Sequence, residues 1–167
     1  RTEVLSSYQD FTTIGRIVQY KVLVQRAIRM ITPVTEQVVT EKLFKIASTP
    51  EAFVSMPIEE LEEHIRSCGF YHNKAKALKE MSASLLAMGG VVPDTREELM
   101  KLSGVGRKTA NVVSAVAFGK NAIAVDTHVF RVSNRIGIVK ENNVLKTENA
   151  LKKAIDKSDW SRSHHYL

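Results

Sequence analysis

Apolar residues recur at three- and four-residue spacing along nearly the whole chain, and period-two alternation is short and weak. The pattern predicts helices throughout and an all-α fold. Residues 14–31 carry Ile14, Ile17, Val18, Lys21, Val22, Val24, Ile28 and Ile31, and Pro33 closes that helix. Residues 35–46 form a second, with Val38, Val39, Leu43, Phe44 and Ile46. Thr49-Pro50-Glu51 reads as a cap followed by proline at the first helical position. Ser55-Met56-Pro57 opens a helix with Ile58, Leu61 and Ile65 on one face, stopped by Gly69. Residues 71–88 predict a long helix with Ala75, Leu78, Met81, Leu85 and Met88 inward, ended by Gly89-Gly90. Asp94 or Thr95 caps a helix to about Lys101, and helix 107–118 ends at Gly119. Asp126 caps the next, to about Arg135, and Lys146 to Lys157 is the last helical pattern. There is no internal repeat, and the methionines fall at core spacing.

A chain of 167 residues can form one core, or one domain with an appendage. Its hydrophobic and charged fractions, 44% and 25%, place it among soluble globular proteins. The net charge of +6 and pI near 9.5 favour a polyanionic partner. No apolar run of about 18 residues exists, so no membrane span is expected. Arg1-Thr2-Glu3-Val4 shows no signal-peptide pattern, and an intracellular, reducing setting is expected. Cys68 is the sole cysteine, which excludes an internal disulfide and a four-cysteine iron–sulfur site. It reads as a small buried hydrophobe before Gly69. The histidines form no metal set: His64 and His72 lie on separate elements, and His164-His165 are adjacent at the end. His128 follows Asp126 by two, a spacing that shares no helix face, and is expected to be packed or hydrogen-bonded.

The chemistry concentrates in Leu102-Ser103-Gly104-Val105-Gly106-Arg107-Lys108-Thr109-Ala110-Asn111, followed by Val125-Asp126-Thr127-His128. Two glycines around one small apolar residue make a tight turn that opens a helix. Such a turn points N–H groups outward, where a phosphate is held well. Lys108 sits in the first helical turn, and Asp126 follows eighteen positions later. Each alone has an ordinary explanation: a connecting turn, a solvated lysine, an N-cap. Together they point to chemistry on a nucleic acid backbone or sugar.

This combination closely resembles the endonuclease III family of helix-hairpin-helix DNA glycosylases. The likeness runs through LSGVGRKTANVVSAVAFG (102–119) and IAVDTHVFRVSNRIG (123–137). It extends back through KLFKIASTPEAF and IEELEEHIRSCG to Phe70-Tyr71-His72-Asn73-Lys74-Ala75-Lys76, and forward to Trp160 and His164-His165-Tyr166-Leu167. The resemblance implies a helical glycosylase domain at 35–137, with its helix-hairpin-helix at 95–118. Residues 1–34 match poorly: Met30 falls where the family has a glutamine that fills the space of the extruded base, and Pro33 where an acidic residue is usual. Family members continue past the equivalent of Tyr166-Leu167 into another helix and usually an iron–sulfur loop. Residues 138–167 are therefore expected to form an incomplete second lobe, with no cluster and no other cofactor.

What the resemblance implies for the site is specific. The target nucleotide is flipped out of the duplex, and the amides of Gly104, Val105 and Gly106 anchor the backbone beside it. Arg107 adds charge or points to water. Phe70 is either an intercalating wedge or a cap on the core beneath its loop, and Lys74 and Lys76 touch phosphates or are solvated. Lys108 is the nucleophile, attacking C1′ as a free amine on the way to a Schiff base and β-elimination. Burial and the positive helix end favour that amine, whereas Asp126 opposes it. Asp126 therefore acts by stabilising the oxocarbenium-like sugar or by shuttling the lysine proton. The implied activity is base-excision glycosylase and apurinic/apyrimidinic lyase on oxidised pyrimidines. The lysine argues against the adenine-specific relatives. The implied partner is double-stranded DNA with damaged bases or abasic sites, bound by a monomer in the cytoplasm and nucleoid or the nucleus. The alternatives are a DNA-binding fragment without turnover and a folded chain with neither property.

Overall fold

The computed structural model describes residues 13–28 and 33–166, and among them there is no strand. Met30 and Ile31 lie outside the described residues, as do the side chains of Ile14 and Pro33 and residues 1–12. The helices are α1 (Thr13–Ile28), α2 (Pro33–Ile46), α3 (Pro50–Ser55), α4 (Ile58–His64), α5 (Tyr71–Ala87), α6 (Arg96–Leu99), α7 (Arg107–Phe118), α8 (Thr127–Arg135), α9 (Val144–Ala154) and α10 (Trp160–Tyr166). A 3₁₀ turn, Lys157–Asp159, precedes α10. The chain divides into two compact units, one ending at Val105 and the other beginning at Gly106. The divisions at 34/35 and 137/138 are extents of family resemblance, and the two compact units do not bear on them.

In the first unit, α3 and α4 pack on α5, which also meets α1. Tyr20, Leu23, Ile28, Leu43, Phe53, Leu61, Leu78, Met81 and Leu85 are fully buried there. Tyr20 meets Phe53 edge-on, with ring centroids 5.6 Å apart. Ser82 donates to the Leu78 carbonyl, so the Tyr20 hydroxyl is the donor across its 2.6 Å contact with Ser82 Oγ. Burial pushes the Tyr20 phenol well above its usual range. Helix α3 is only six residues long, too short to stand by propensity. Thr49 Oγ1 accepts from Ala52 N at its start, and the Lys79 ammonium from α5 donates to the carbonyls of Phe53, Val54 and Met56 at its end. Thr95, the N-cap of α6, accepts from Glu98 N and donates to Glu98 Oε2, a reciprocal cap.

Four expected core positions face solvent: Val18, Val38, Ile46 and Met88. Met88 follows the last residue of α5, where the helical period has ended. Residues 14–31 are apolar on nearly every side, so the pattern does not choose a face, and Tyr20 and Leu23 fill the core in place of Val18.

The second unit is built on Ile123, Val125, Val129, Val139 and Leu151, flanked by Phe130, Val144, Ala150, Ile155 and Trp160. Asn143 caps α9 through a 2.9 Å bond from Lys146 N, so this helix starts and ends earlier than 146–157. The Trp160 indole donates to the Ile155 carbonyl at 2.9 Å and seats α10. No helix among the described residues is long and apolar enough to cross a membrane.

Candidate active site

The glycine turn forms where it is expected. Val105 N–H donates to the Leu102 carbonyl at 3.1 Å, and Ser103 Oγ donates to Glu80 Oε2 at 2.7 Å. Gly104 has a φ of +74°, and a Cβ there would stand 3.0 Å from Ala77 Cβ. The dihedral strongly favours glycine, and any larger residue would also crowd Ala77. The Val105 amide is committed within the turn and its side chain is buried, which corrects the expectation that it points outward; Gly104 and Gly106 carry the other two amides. Gly106 is the N-cap of α7 and offers no side-chain cap. Intrahelical bonding begins with Ala110 N–H to Gly106 O at 2.9 Å, so the turn before it carries the positive end of α7.

Lys108 and Asn111 share one face of α7, three residues apart. Both reach the extended link that precedes α8. Asn111 Nδ2 donates to the Ile123 carbonyl at 3.0 Å, and Lys108 Nζ donates to Asp126 Oδ2 at 2.6 Å. Asp126 is the N-cap of α8, its Oδ1 accepting from His128 N and Val129 N at 2.9 Å each. One carboxylate thus caps a helix with one oxygen and holds the lysine with the other. Burial pushes the Asp126 carboxyl up, but the bond from Lys108 and the two backbone bonds outweigh it and hold it at about 2.

A carboxyl held below its unfolded value contributes stability above about pH 4 and loses it as pH falls toward 2. We expect about 2 kcal/mol of acid-limb loss from this group, and no such limb in Asp126→Asn, which keeps the cap. Urea midpoints of both proteins at pH 5 and pH 2.5 measure it. Equal losses in the two would place the acid sensitivity elsewhere.

Arg107, the first residue of α7, neither points to water nor presents a loose charge. Its Nε and Nη2 donate to Glu148 Oε2 and Oε1 at 2.6 and 3.0 Å. Glu148, on α9, is 1% exposed and also takes the Lys152 ammonium. Burial pushes the Glu148 carboxyl up, and the bonds from Arg107 and Lys152 hold it below its usual range. The sequence signal for this cluster was partial: Glu148 and Lys152 stand at i,i+4, but Arg107 is remote from both.

In the first unit, Phe70 precedes α5 in the left-handed region, with φ 58° and ψ 37°, and its side chain is 84% exposed. It does not cap the core. Lys74 lies one turn into α5, its N–H bonded to the Phe70 carbonyl, and Lys76 stands 3.9 Å from Glu80. His72 Nδ1 lies 2.8 Å from Glu62 Oε2, and His128 Nδ1 3.2 Å from Arg131 Nη2. Among the described residues no three His, Cys, Asp or Glu side chains converge to hold a metal ion. Cys68 is buried.

Residues 17–157 match the profile of the HhH-GPD superfamily base excision DNA repair proteins. The chain is 51% identical over 131 residues to an endonuclease III of Bacillus subtilis (strain 168), covering 77% of this chain and 60% of that protein. With an endonuclease III of Thermotoga maritima it shares 48% identity over 122 residues, covering 72% and 57%. A solved structure of a trapped covalent intermediate between endonuclease III and DNA, an estranged-adenine complex, aligns with a TM-score of 0.84. That alignment has 47% identity and covers 88% of this chain and 70% of the other. The chain thus spans less than two thirds of the length of these two bacterial relatives. The matched region contains the glycine turn, Lys108 and Asp126, and on this extent of similarity the chain belongs to the HhH-GPD superfamily of base excision DNA repair proteins.

Proposed function

We propose that this chain is a base-excision DNA glycosylase with apurinic/apyrimidinic lyase activity, acting through Lys108. One observation carries the reading: Lys108 Nζ, in the first turn of a helix opened by a glycine turn, lies 2.6 Å from Asp126 Oδ2. The reaction follows from these two groups. A proton leaves Nζ to water, and the amine attacks C1′ of the flipped nucleotide. The C1′–N bond breaks and the base departs with the electron pair. Asp126 faces the positive charge that develops on the sugar. Ring opening gives the Schiff base between Nζ and C1′, and loss of a C2′ proton expels the 3′ phosphate and nicks the strand.

The remaining residues have supporting parts. The turn at Gly104 and Gly106 and the positive end of α7 favour a phosphate. The exposed Phe70 ring is suited to fill a gap in a base stack, where an apolar wedge offsets the cost of extrusion. Lys74 is placed one turn behind it. The substrate class is DNA with oxidised pyrimidines or abasic sites, on the family resemblance.

Borohydride trapping on a duplex with one abasic site tests the lysine, the pocket and the DNA grip together. A covalent adduct and a nicked strand support the reading. Salt-dependent duplex binding with neither product would instead identify a module that grips DNA without turnover. The tight lysine–carboxylate pair is the observation that would account for that outcome, because it engages the nitrogen that must attack.

A further inference from the structure

We propose that Arg107 and Glu148 are positioning residues for Lys108, and that Arg107 is not a phosphate ligand. The inference rests on the reading of Lys108 as nucleophile. A first helical turn lacks backbone acceptors and frays unless a side chain caps it. Gly106 supplies no such cap, yet Lys108 is the second residue of α7. The turn is held instead through its first residue. Arg107 donates two bonds to the carboxylate of Glu148, a residue 1% exposed, a geometry that fixes the guanidinium in both direction and plane.

The other end of the reacting pair is fixed independently, because Asp126 is bound to two amides of α8. The Lys108–Asp126 distance is thus set between two anchors, α8 on one side and α9 through Glu148 on the other. Lys152 supplies the second cation of the cluster and lies over the Trp160 ring, 5.5 Å from its centroid. A guanidinium that commits Nε and Nη2 to a buried carboxylate has fewer donors left for a phosphate. It is well suited to keep the neighbouring lysine in one place.

The test uses the full chain with Arg107→Gln, Arg107→Lys and the double variant Arg107→Gln/Glu148→Gln. Arg107→Gln leaves Glu148 paired with Lys152, so the fold keeps its charge balance. At saturating abasic duplex, we expect Arg107→Gln to slow borohydride trapping by about 10²-fold, the scale of a misplaced reacting group. Arg107→Lys keeps the charge but cannot form the fork, and should stay nearly as slow. The double variant should be no slower than Arg107→Gln, because the two residues act as one unit. The slope of log affinity against log salt should not change in any of them.

Full activity in Arg107→Lys would show that charge alone matters, and would overturn the proposal. A salt slope smaller by about one in Arg107→Gln would make Arg107 a phosphate ligand, with the same consequence. If the unaltered chain forms no adduct, it is the catalytic reading that has failed. The positioning claim is then decided without DNA, by the ¹⁵N signal of the Lys108 ammonium, which reports its bond to Asp126. That signal should move toward a solvated lysine in Arg107→Gln and Arg107→Lys. An unmoved signal in both would reject positioning.

Discussion

Lys108→Gln will form no borohydride-trapped adduct with an abasic duplex and will leave the strand unnicked, while its duplex affinity stays within about tenfold of the unaltered chain. An amide nitrogen cannot form the Schiff base, so the loss is complete and not graded. It can still donate to Asp126, so the link before α8 keeps a partner and the fold changes little. On the proposed reading the grip resides in the glycine turn and the backbone amides at the start of α7, which the substitution leaves in place. Asp126→Asn behaves differently: it retains the helix cap, keeps the amine and slows base loss. Gel analysis of trapped and nicked product, beside a binding titration, reads both. An adduct that persists in Lys108→Gln would assign the chemistry to another amine.

Phe53→Ala has the largest effect expected on stability. The ring is fully buried and stands edge-on to Tyr20. Deleting a buried phenyl group costs about 3–5 kcal/mol, from a total that is on the order of 5–15 kcal/mol for a domain. Helix α3, with six residues, has few other anchors besides its threonine cap and Lys79. Thermal unfolding should shift down by roughly 10 °C. A shift of a degree or two would mean that the core closes over the gap and that α3 is held mainly by its ends.

What the sequence made legible has a physical pattern. Helix bounds were readable where a residue with one chemical habit sits at the end: Pro50 and Thr49 for α3, Thr95 for α6, Gly119 for α7, Asp126 for α8. The Asp126 cap was readable from a local rule, whereas its association with Lys108 rested on the combined motif and the family resemblance. Arg107–Glu148 was not readable. Forty-one positions separate the two, and nothing local demands that they meet. Helix α10 was missed for the same reason: it is one short segment without a period, seated by the Trp160 bond to Ile155. Val18, Val38 and Ile46 show the converse, apolar residues that follow a period but stay about half exposed. Position in a core is a tertiary property, and spacing alone reports only the opportunity.

Phe70 is the one non-glycine residue with positive φ among the described residues, and most of its ring is in water. The backbone there carries a cost, and the exposed ring does little to offset it. Glycine would relax the turn by up to about 1 kcal/mol in the unbound protein. Selection for heat resistance alone should therefore enrich Phe70→Gly in a library, while selection for capture of damaged duplex should purge it. The two enrichments, run on one library, make this position a gauge of which pressure shaped the chain.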